Sequence, residues 1–345
     1  MKALAAVTTI ITGCTTLIQL VAAQDPAGTI VDAPSDGDLN GSNFTYPWPL
    51  KLFKFTSQLQ ELEMAFMDVA PTVESNGKIA ICLHGKNFCA PTWEETARRL
   101  AGMGYRVILP DQVGFCKSSK PQSYQYTLQQ FSYNTRNLLK TLNIENVTLI
   151  GHSLGGMTSF RFALLFPDII ERMALINPIG LEDWEAVGVP YKSVDDLYTL
   201  EAASNYTTIR AYEQPTYYVG QWSDAYDVWV NMLVDIYKGS KATTFAFDQA
   251  LITDMALSDP VVYEFGLLKP RTLLMIGDKD TTALGKQWSP PDVQDKLGHY
   301  DVLGKEAAAA IPNSDLIEFP DLGHAPHIQE PDMVHEALLE WLSKY

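Results

Sequence analysis

Val147-Thr148-Leu149-Ile150-Gly151-His152-Ser153-Leu154-Gly155 passes from a mostly apolar run into a Gly-x-Ser-x-Gly turn. The apolar run suits a strand buried on both faces, and residues 157–166 beyond the turn read as a helix. A serine between two such elements sits on a tight, strained turn that lifts its hydroxyl above the strand ends. The glycines on either side let neighbouring backbone pack close. The helix that follows turns its N-terminal amides and positive dipole end toward the same point. Gly-x-Ser-x-Gly is common by itself, but placed strand–turn–helix it is specific. Ser153 is therefore the candidate nucleophile.

Outward from this turn the chain alternates strand and helix. Residues 51–57, 61–69, 78–83, 105–109, 172–176, 271–276 and 316–319 read as strands, and residues 93–103, 128–142 and 333–342 as helices. That pattern predicts an α/β fold, a mostly parallel doubly wound sheet covered on both faces. The alternation breaks between Asn177 and Lys269. A crossover needs little more than a dozen residues, so the excess predicts a separate helical cap over residues 181–265. That segment holds 12 of the 23 Trp and Tyr residues. Packing of a small lobe accounts for most of these rings. Trp184, Trp222 and Trp229, with Asn87 and Phe88 from the core, are the candidates for lining an apolar substrate pocket between cap and sheet. The predicted organisation is a signal peptide over 1–23, a leader over 24–49, core over 50–180, cap over 181–265 and core again over 266–345.

Composition limits the function. The 345 residues are 46% hydrophobic and 11% aromatic, enough for a large core, which excludes wholesale disorder. Twenty-five basic against 41 acidic residues leave a net charge of −16, unsuited to a nucleic-acid backbone or an anionic membrane surface. No internal period points to a solenoid or propeller. No phosphate-cradling glycine loop, Cys/His metal spacing or dinucleotide fingerprint is present, so no cofactor and no metal are expected. Residues 3–23 are apolar and uncharged, end in Val21-Ala22-Ala23 and turn polar at Gln24-Asp25-Pro26, the layout of a cleaved secretory signal. After its removal no membrane span is expected; an uncleaved membrane anchor is the alternative. Sequons at Asn40, Asn43, Asn146 and Asn205 fit secretion. Cys14 falls within the signal, so Cys82, Cys89 and Cys116 can form one disulfide and leave one thiol.

A serine hydroxyl attacks only when a base takes its proton. His324, in Asp321-Leu322-Gly323-His324-Ala325-Pro326, follows the last strand and emerges at the sheet's C-terminal edge. His84 and His152 adjoin glycines at strand ends and suit hydrogen-bonded scaffold roles. His327 begins toward the last helix, and His299 and His335 have no partner suggested. The acid that orients the imidazole comes from the turn Gly277-Asp278-Lys279-Asp280; either carboxylate could serve, and Asp280 reaches farther toward the histidine loop. The oxyanion produced by attack needs two backbone donors. Leu154 supplies one. Lys86, in the loop at residues 84–88, supplies the other, with Asn87 the alternative and the Lys86 side chain expected in solvent.

Together these residues resemble the α/β-hydrolase fold family over residues 50–345. The resemblance rests on His84-Gly85, Asp111-x-x-Gly114-Phe115-x-Lys117-Ser118, the Ser153 turn, Gly277-x-x-Asp280 and Gly323-His324-x-Pro326. It implies a Ser-His-Asp serine hydrolase of the capped subgroup, whose cap follows the sixth core strand. The segments at residues 84–88 and 177–184 look like a branch of predicted hydrolases, for which resemblance implies fold and triad but no substrate. Family members with epoxide-hydrolase or dehalogenase activity carry aspartate where Ser153 stands, and proline-releasing peptidases carry Trp where Leu154 stands. Cys116 replaces a usual glycine. Because the family's third and fourth strands are neighbours, the resemblance also implies a Cys89–Cys116 disulfide. The expected partner is a small or medium apolar ester or lactone. A carbon–carbon bond hydrolase with the same triad and a non-catalytic binding protein on this fold are the alternatives.

Overall fold

The computed structural model describes residues 28–34 and 37–345, so the predicted signal at 1–23 lies outside the described residues. Nine strands form one sheet: β1 (Thr29–Asp32), β2 (Leu50–Ser57), β3 (Gln60–Val69), β4 (Ile79–Leu83), β5 (Arg106–Pro110), β6 (Val147–His152), β7 (Ile170–Ile176), β8 (Arg271–Gly277) and β9 (Ser314–Phe319). Their order is β1-β2-β3-β5-β4-β6-β7-β8-β9, antiparallel through β1, β2, β3 and β5 and parallel from β5 onward. The mostly parallel sheet agrees with the strand–helix alternation of the sequence. The strand order reverses around β4, so the loops leaving β4 and β6 diverge there and open a crevice at the strand ends.

Continuous apolar strands are required because both faces are covered. Ile81, Leu149, Leu175 and Leu274 join the core on one face. Their immediate successors Cys82, Ile150, Ile176 and Met275 join the core on the other. This is the period-2 alternation of a strand in a sheet buried on both sides. The helices divide accordingly. Helices α1 (Glu94–Gly102), α2 (Leu128–Thr141) and α3 (Leu154–Leu165) follow β4, β5 and β6. Between β7 and β8 come α4 (Trp184–Val187), α5 (Val194–Ala202), α6 (Tyr206–Tyr217), α7 (Asp227–Lys238) and α8 (Ala242–Ser258). Then follow α9 (Pro291–Gln294), α10 (Tyr300–Ala310), α11 (Pro326–Gln329) and α12 (Pro331–Lys344). Phe131 of α2 and Phe160 of α3 pack on the first face. Leu100 of α1 and Trp341 of α12 pack on the second.

Several elements differ from the sequence expectation. The leader contributes β1, an edge strand held by antiparallel pairing with β2. Helix α3 begins at Leu154, immediately after Ser153 and three residues earlier than expected. Gly155 and Gly156 are poor helix formers, but a Cβ would lie 2.0 Å from the Leu83 carbonyl oxygen at the first and 2.5 Å from Pro178 Cβ at the second. Close packing overrides propensity there. Helices α9, α10 and α11 have no counterpart among the predicted elements.

Cys89 and Cys116 are joined by a disulfide with Cα atoms 5.8 Å apart, and Cys82 is a buried free thiol. The bridge ties the loop after β4 to the loop after β5. Cys116 holds φ at +46°, a region that suits the glycine usual in the family. The bond closes a separation of 27 residues. Replacing both cysteines by alanine lowers the unfolding free energy by about 3 kcal/mol, read from the urea midpoint; an unchanged midpoint overturns this.

Candidate active site

Ser153 adopts φ 55°, ψ −122°, a conformation that costs about 1–3 kcal/mol and persists only where its surroundings enforce it. They do so here. Its amide donates to the Ile176 carbonyl at 3.2 Å, and its carbonyl accepts from the amides of Gly156 (2.9 Å), Met157 (3.1 Å) and Ile179 (3.1 Å). The crossing of β6 and α3 leaves no room for a side chain at Gly151, where a Cβ would stand 2.5 Å from Ser159 Oγ.

Three expected residues come together on this turn. Ser153 Oγ is 2.8 Å from His324 Nε2, and His324 Nδ1 is 2.6 Å from Asp280 Oδ2. Asp280 accepts further bonds from Asn177 Nδ2 at 2.9 Å and the Thr282 amide at 2.8 Å. Both carboxylate oxygens are thus held by donors, which fixes the carboxylate plane. Asp278, the alternative acid, is not bonded to His324; burial foremost raises its pKa. The His324 loop is fixed by its own backbone: its amide donates to the Thr216 carbonyl at 3.1 Å, and its carbonyl accepts from His152 Nε2 at 2.8 Å.

The other histidines have structural partners. His84 donates through Nδ1 to the Gly85 carbonyl and accepts the Gln112 amide at Nε2. His327 stacks on Trp93 and touches His152, and burial pulls its pKa down to about 3. His299 bonds the Asp295 carbonyl, and His335 bonds Thr96 and the Pro331 carbonyl. His152 therefore positions the base by holding its carbonyl, a specific form of the scaffold role read from sequence.

Leu154 opens α3, so its amide has no carbonyl one turn behind it within the helix. Gly85 brings the β4 loop against the nucleophile, where a Cβ would lie 2.9 Å from Ser153 Cβ. Lys86 and Asn87 follow directly, and both line a cavity of about 380 Å³ that also reaches Ser153. Its walls combine Ile179 of the core with residues of α5, α6 and α7 and with Leu284 and Trp288. Of the five expected pocket residues only Asn87 lines it. Phe88 is buried against the rings of His152 and Tyr217, and Trp184 belongs to the core cluster. Trp222 packs edge-on to Tyr218 and Tyr226 and donates to Asp227, while Trp229 leans on Phe44. The rings on the wall are instead Tyr212, Tyr217, Tyr237 and Trp288. Lys86 is also corrected: its Nζ is not free in solvent but 2.6 Å from Glu201 Oε1.

Among the described residues, one cluster of metal-ligating types occurs, Cys89, Asp111 and Cys116. Its sulfurs form the disulfide. Asp111 accepts from Tyr46 Oη and from the amides of Ala90 and Lys117. These partners suit a structural carboxylate rather than a ligand.

A serine at the β6–α3 turn bonded to a histidine after β9, itself bonded to an acid after β8, is an arrangement that suits a hydrolase scaffold. Residues 81–331 match the sequence profile of the alpha/beta hydrolase fold, and the chain belongs to that family. The crystal structure of a probable hydrolytic enzyme from Pseudomonas aeruginosa is 52% identical with a TM-score of 0.85, covering 86% of this chain and 95% of that one. A 2-hydroxy-6-oxononadienedioate/2-hydroxy-6-oxononatrienedioate hydrolase of Comamonas testosteroni is 25% identical over 285 residues, 77% of this chain and 88% of its own. An uncharacterized protein of Mycobacterium bovis is 34% identical over 109 residues, and there the chain spans 31% of the relative's length.

Proposed function

We propose that this protein is a secreted serine hydrolase that cleaves a carboxylic ester or lactone of small or medium size, with residues 181–265 serving as its cap. The observation that carries the reading is the line Ser153–His324–Asp280, hydrogen-bonded end to end beneath the cavity. His324 takes the Ser153 proton as Oγ bonds to the substrate's carbonyl carbon. Asp280 stabilises the imidazolium, and the amides of Leu154 and Lys86 hold the oxyanion. Collapse of the tetrahedral adduct breaks the carbon–oxygen bond to the alcohol, which leaves with the proton from His324. Water, deprotonated by His324, then attacks the acyl-enzyme and returns free acid and Ser153.

Secretion is supported by the layout of residues 1–26 and by the disulfide, a bond favoured in oxidising compartments. Among the described residues no helix is long and apolar enough to cross a membrane. Asn43 and Asn146 are exposed and available for glycans; Asn205 is exposed too, but its side-chain oxygen caps α6 and its Nδ2 donates to the Ala203 carbonyl. The Asn40 amide group is engaged instead, donating to Glu63 and to the Lys117 carbonyl, which argues against a glycan there.

A fluorophosphonate modifies a single site, found at Ser153 by peptide mass, and an ester panel graded by acyl length gives measurable turnover. Folded protein that neither labels nor turns over any ester overturns the reading and favours a binding protein on this fold. A second reading, carbon–carbon bond hydrolysis, is supported by the Comamonas testosteroni relative. Product analysis on a vinylogous diketone separates it from ester hydrolysis.

A further inference from the structure

Lys86 and Glu201 are the two charged residues on the cavity wall. Their side chains are 18% and 17% exposed, and Nζ lies 2.6 Å from Oε1. The second carboxylate oxygen accepts the Tyr237 hydroxyl of α7 at 2.5 Å. The pair therefore links the loop after β4 to two cap helices beside the nucleophile. Both charges are compensated before any substrate arrives.

We propose that the Lys86–Glu201 pair makes this cavity select uncharged esters, with Glu201 the residue that determines the selection. The inference rests on the serine-hydrolase reading and adds the charge class of its substrate. A carboxylate entering the cavity meets one cation, Lys86, already bonded to Glu201. To use it, the ligand must break that contact in a largely desolvated place and lie beside the Glu201 carboxylate. The chain's net charge of −16 opposes its approach as well. A neutral ester disturbs none of these contacts and gains from Leu197, Ile209 and Leu233 on the wall. Discrimination then comes from repulsion of the wrong ligand as much as from attraction of the right one.

The test compares four esters: ethyl butyrate, which is neutral; monoethyl succinate, with a carboxylate on the acyl side; O-butyrylglycolate, with one on the alcohol side; and butyrylcholine, a cation. Turnover is followed by pH-stat on wild type, Glu201→Gln, Lys86→Met and the double variant. Wild type prefers ethyl butyrate over both anions by about tenfold or more. Glu201→Gln leaves Lys86 without its anion and raises the relative kcat/KM for at least one anionic ester by about ten- to a hundredfold, the effect of one charge-assisted hydrogen bond. Adding Lys86→Met removes that gain. Lys86→Met alone leaves an unpaired carboxylate and shifts preference toward the cation butyrylcholine. A wild type that accepts an anionic ester as readily as ethyl butyrate overturns the inference, even if no variant folds. So does an unchanged ratio in folded Glu201→Gln. Should no ester turn over, the serine-hydrolase reading fails. NMR titration of the same esters onto Ser153→Ala then ranks their affinities and decides the charge selection separately.

Discussion

Alanine at His324 lowers ester turnover by about 10⁶-fold, whereas alanine at Asp280 lowers it by about 10⁴-fold. The difference follows from where each group acts. In the proposed chemistry His324 Nε2, 2.8 Å from Ser153 Oγ, receives the proton whose departure makes the nucleophile. Without it the hydroxyl attacks as an un-ionised alcohol. Ser153→Ala removes the other partner of the same step, so the double variant loses no more than either single one. Asp280 acts at one remove, through the 2.6 Å bond that fixes the His324 tautomer and stabilises its cation. Its loss also orphans the buried Thr282 backbone amide, while Asn177 Nδ2 keeps the Gly277 carbonyl at 3.3 Å, and lowers stability by about 1–3 kcal/mol for the donor left unpaired. Turnover is therefore compared at a temperature where circular dichroism shows each variant folded. A His324→Ala protein that keeps even a hundredth of wild-type turnover contradicts the proposed chemistry.

The residues of this line were legible because each stands where a local signal ends. Ser153 closes a run of six buried residues, Asp280 follows β8, and His324 follows β9. Strand ends can be read from apolar runs and glycines, and the family's topology brings those particular ends together. Cavity walls carry no such local signal. Lys86 and Glu201 are 115 residues apart, and their meeting depends on how α5 settles over the sheet. The aromatic content of residues 181–265 pointed to a lobe but not to which rings face inward. Trp222 and Tyr226 chiefly pack against Tyr218, while Trp288 comes to the wall from outside that segment. Strand β1 escaped notice for a related reason. Its residues are mostly exposed, so edge pairing rather than burial defines it. The disulfide was legible only through the family's strand order, since three cysteines allow any of three pairings.

Glu213→Gln removes a loss of stability that the wild type undergoes between about pH 4.5 and pH 8. Glu213 lies on α6, fully buried, and neither of its carboxylate oxygens has a hydrogen-bond partner. Burial pushes its pKa from 4.5 up to about 8, so at neutral pH the native protein holds it as the uncharged acid. Burial foremost, and this carboxyl in lesser part, raises the pKa values of Tyr212, Tyr217 and Tyr218. In the unfolded chain Glu213 ionises near its ordinary value. Between the two values the native state holds a proton that the unfolded state has released. Stability is therefore fully present below about pH 4.5, falls as pH rises, and levels off above about 8. The full span corresponds to roughly 4–5 kcal/mol. Burial also raises Asp248 to about 8, and that shift acts in the same direction. Urea midpoints across pH 4–9 for wild type and Glu213→Gln isolate Glu213 by their difference, and parallel curves refute the assignment. The effect bears on catalysis because the same helix ends in the carbonyls of Thr216 and Tyr217, which accept the amides of His324 and Ala325. A charge forced onto Glu213 strains the element that positions the proposed base. Where ionisation lowers activity along with stability, Glu213→Gln extends both to higher pH together.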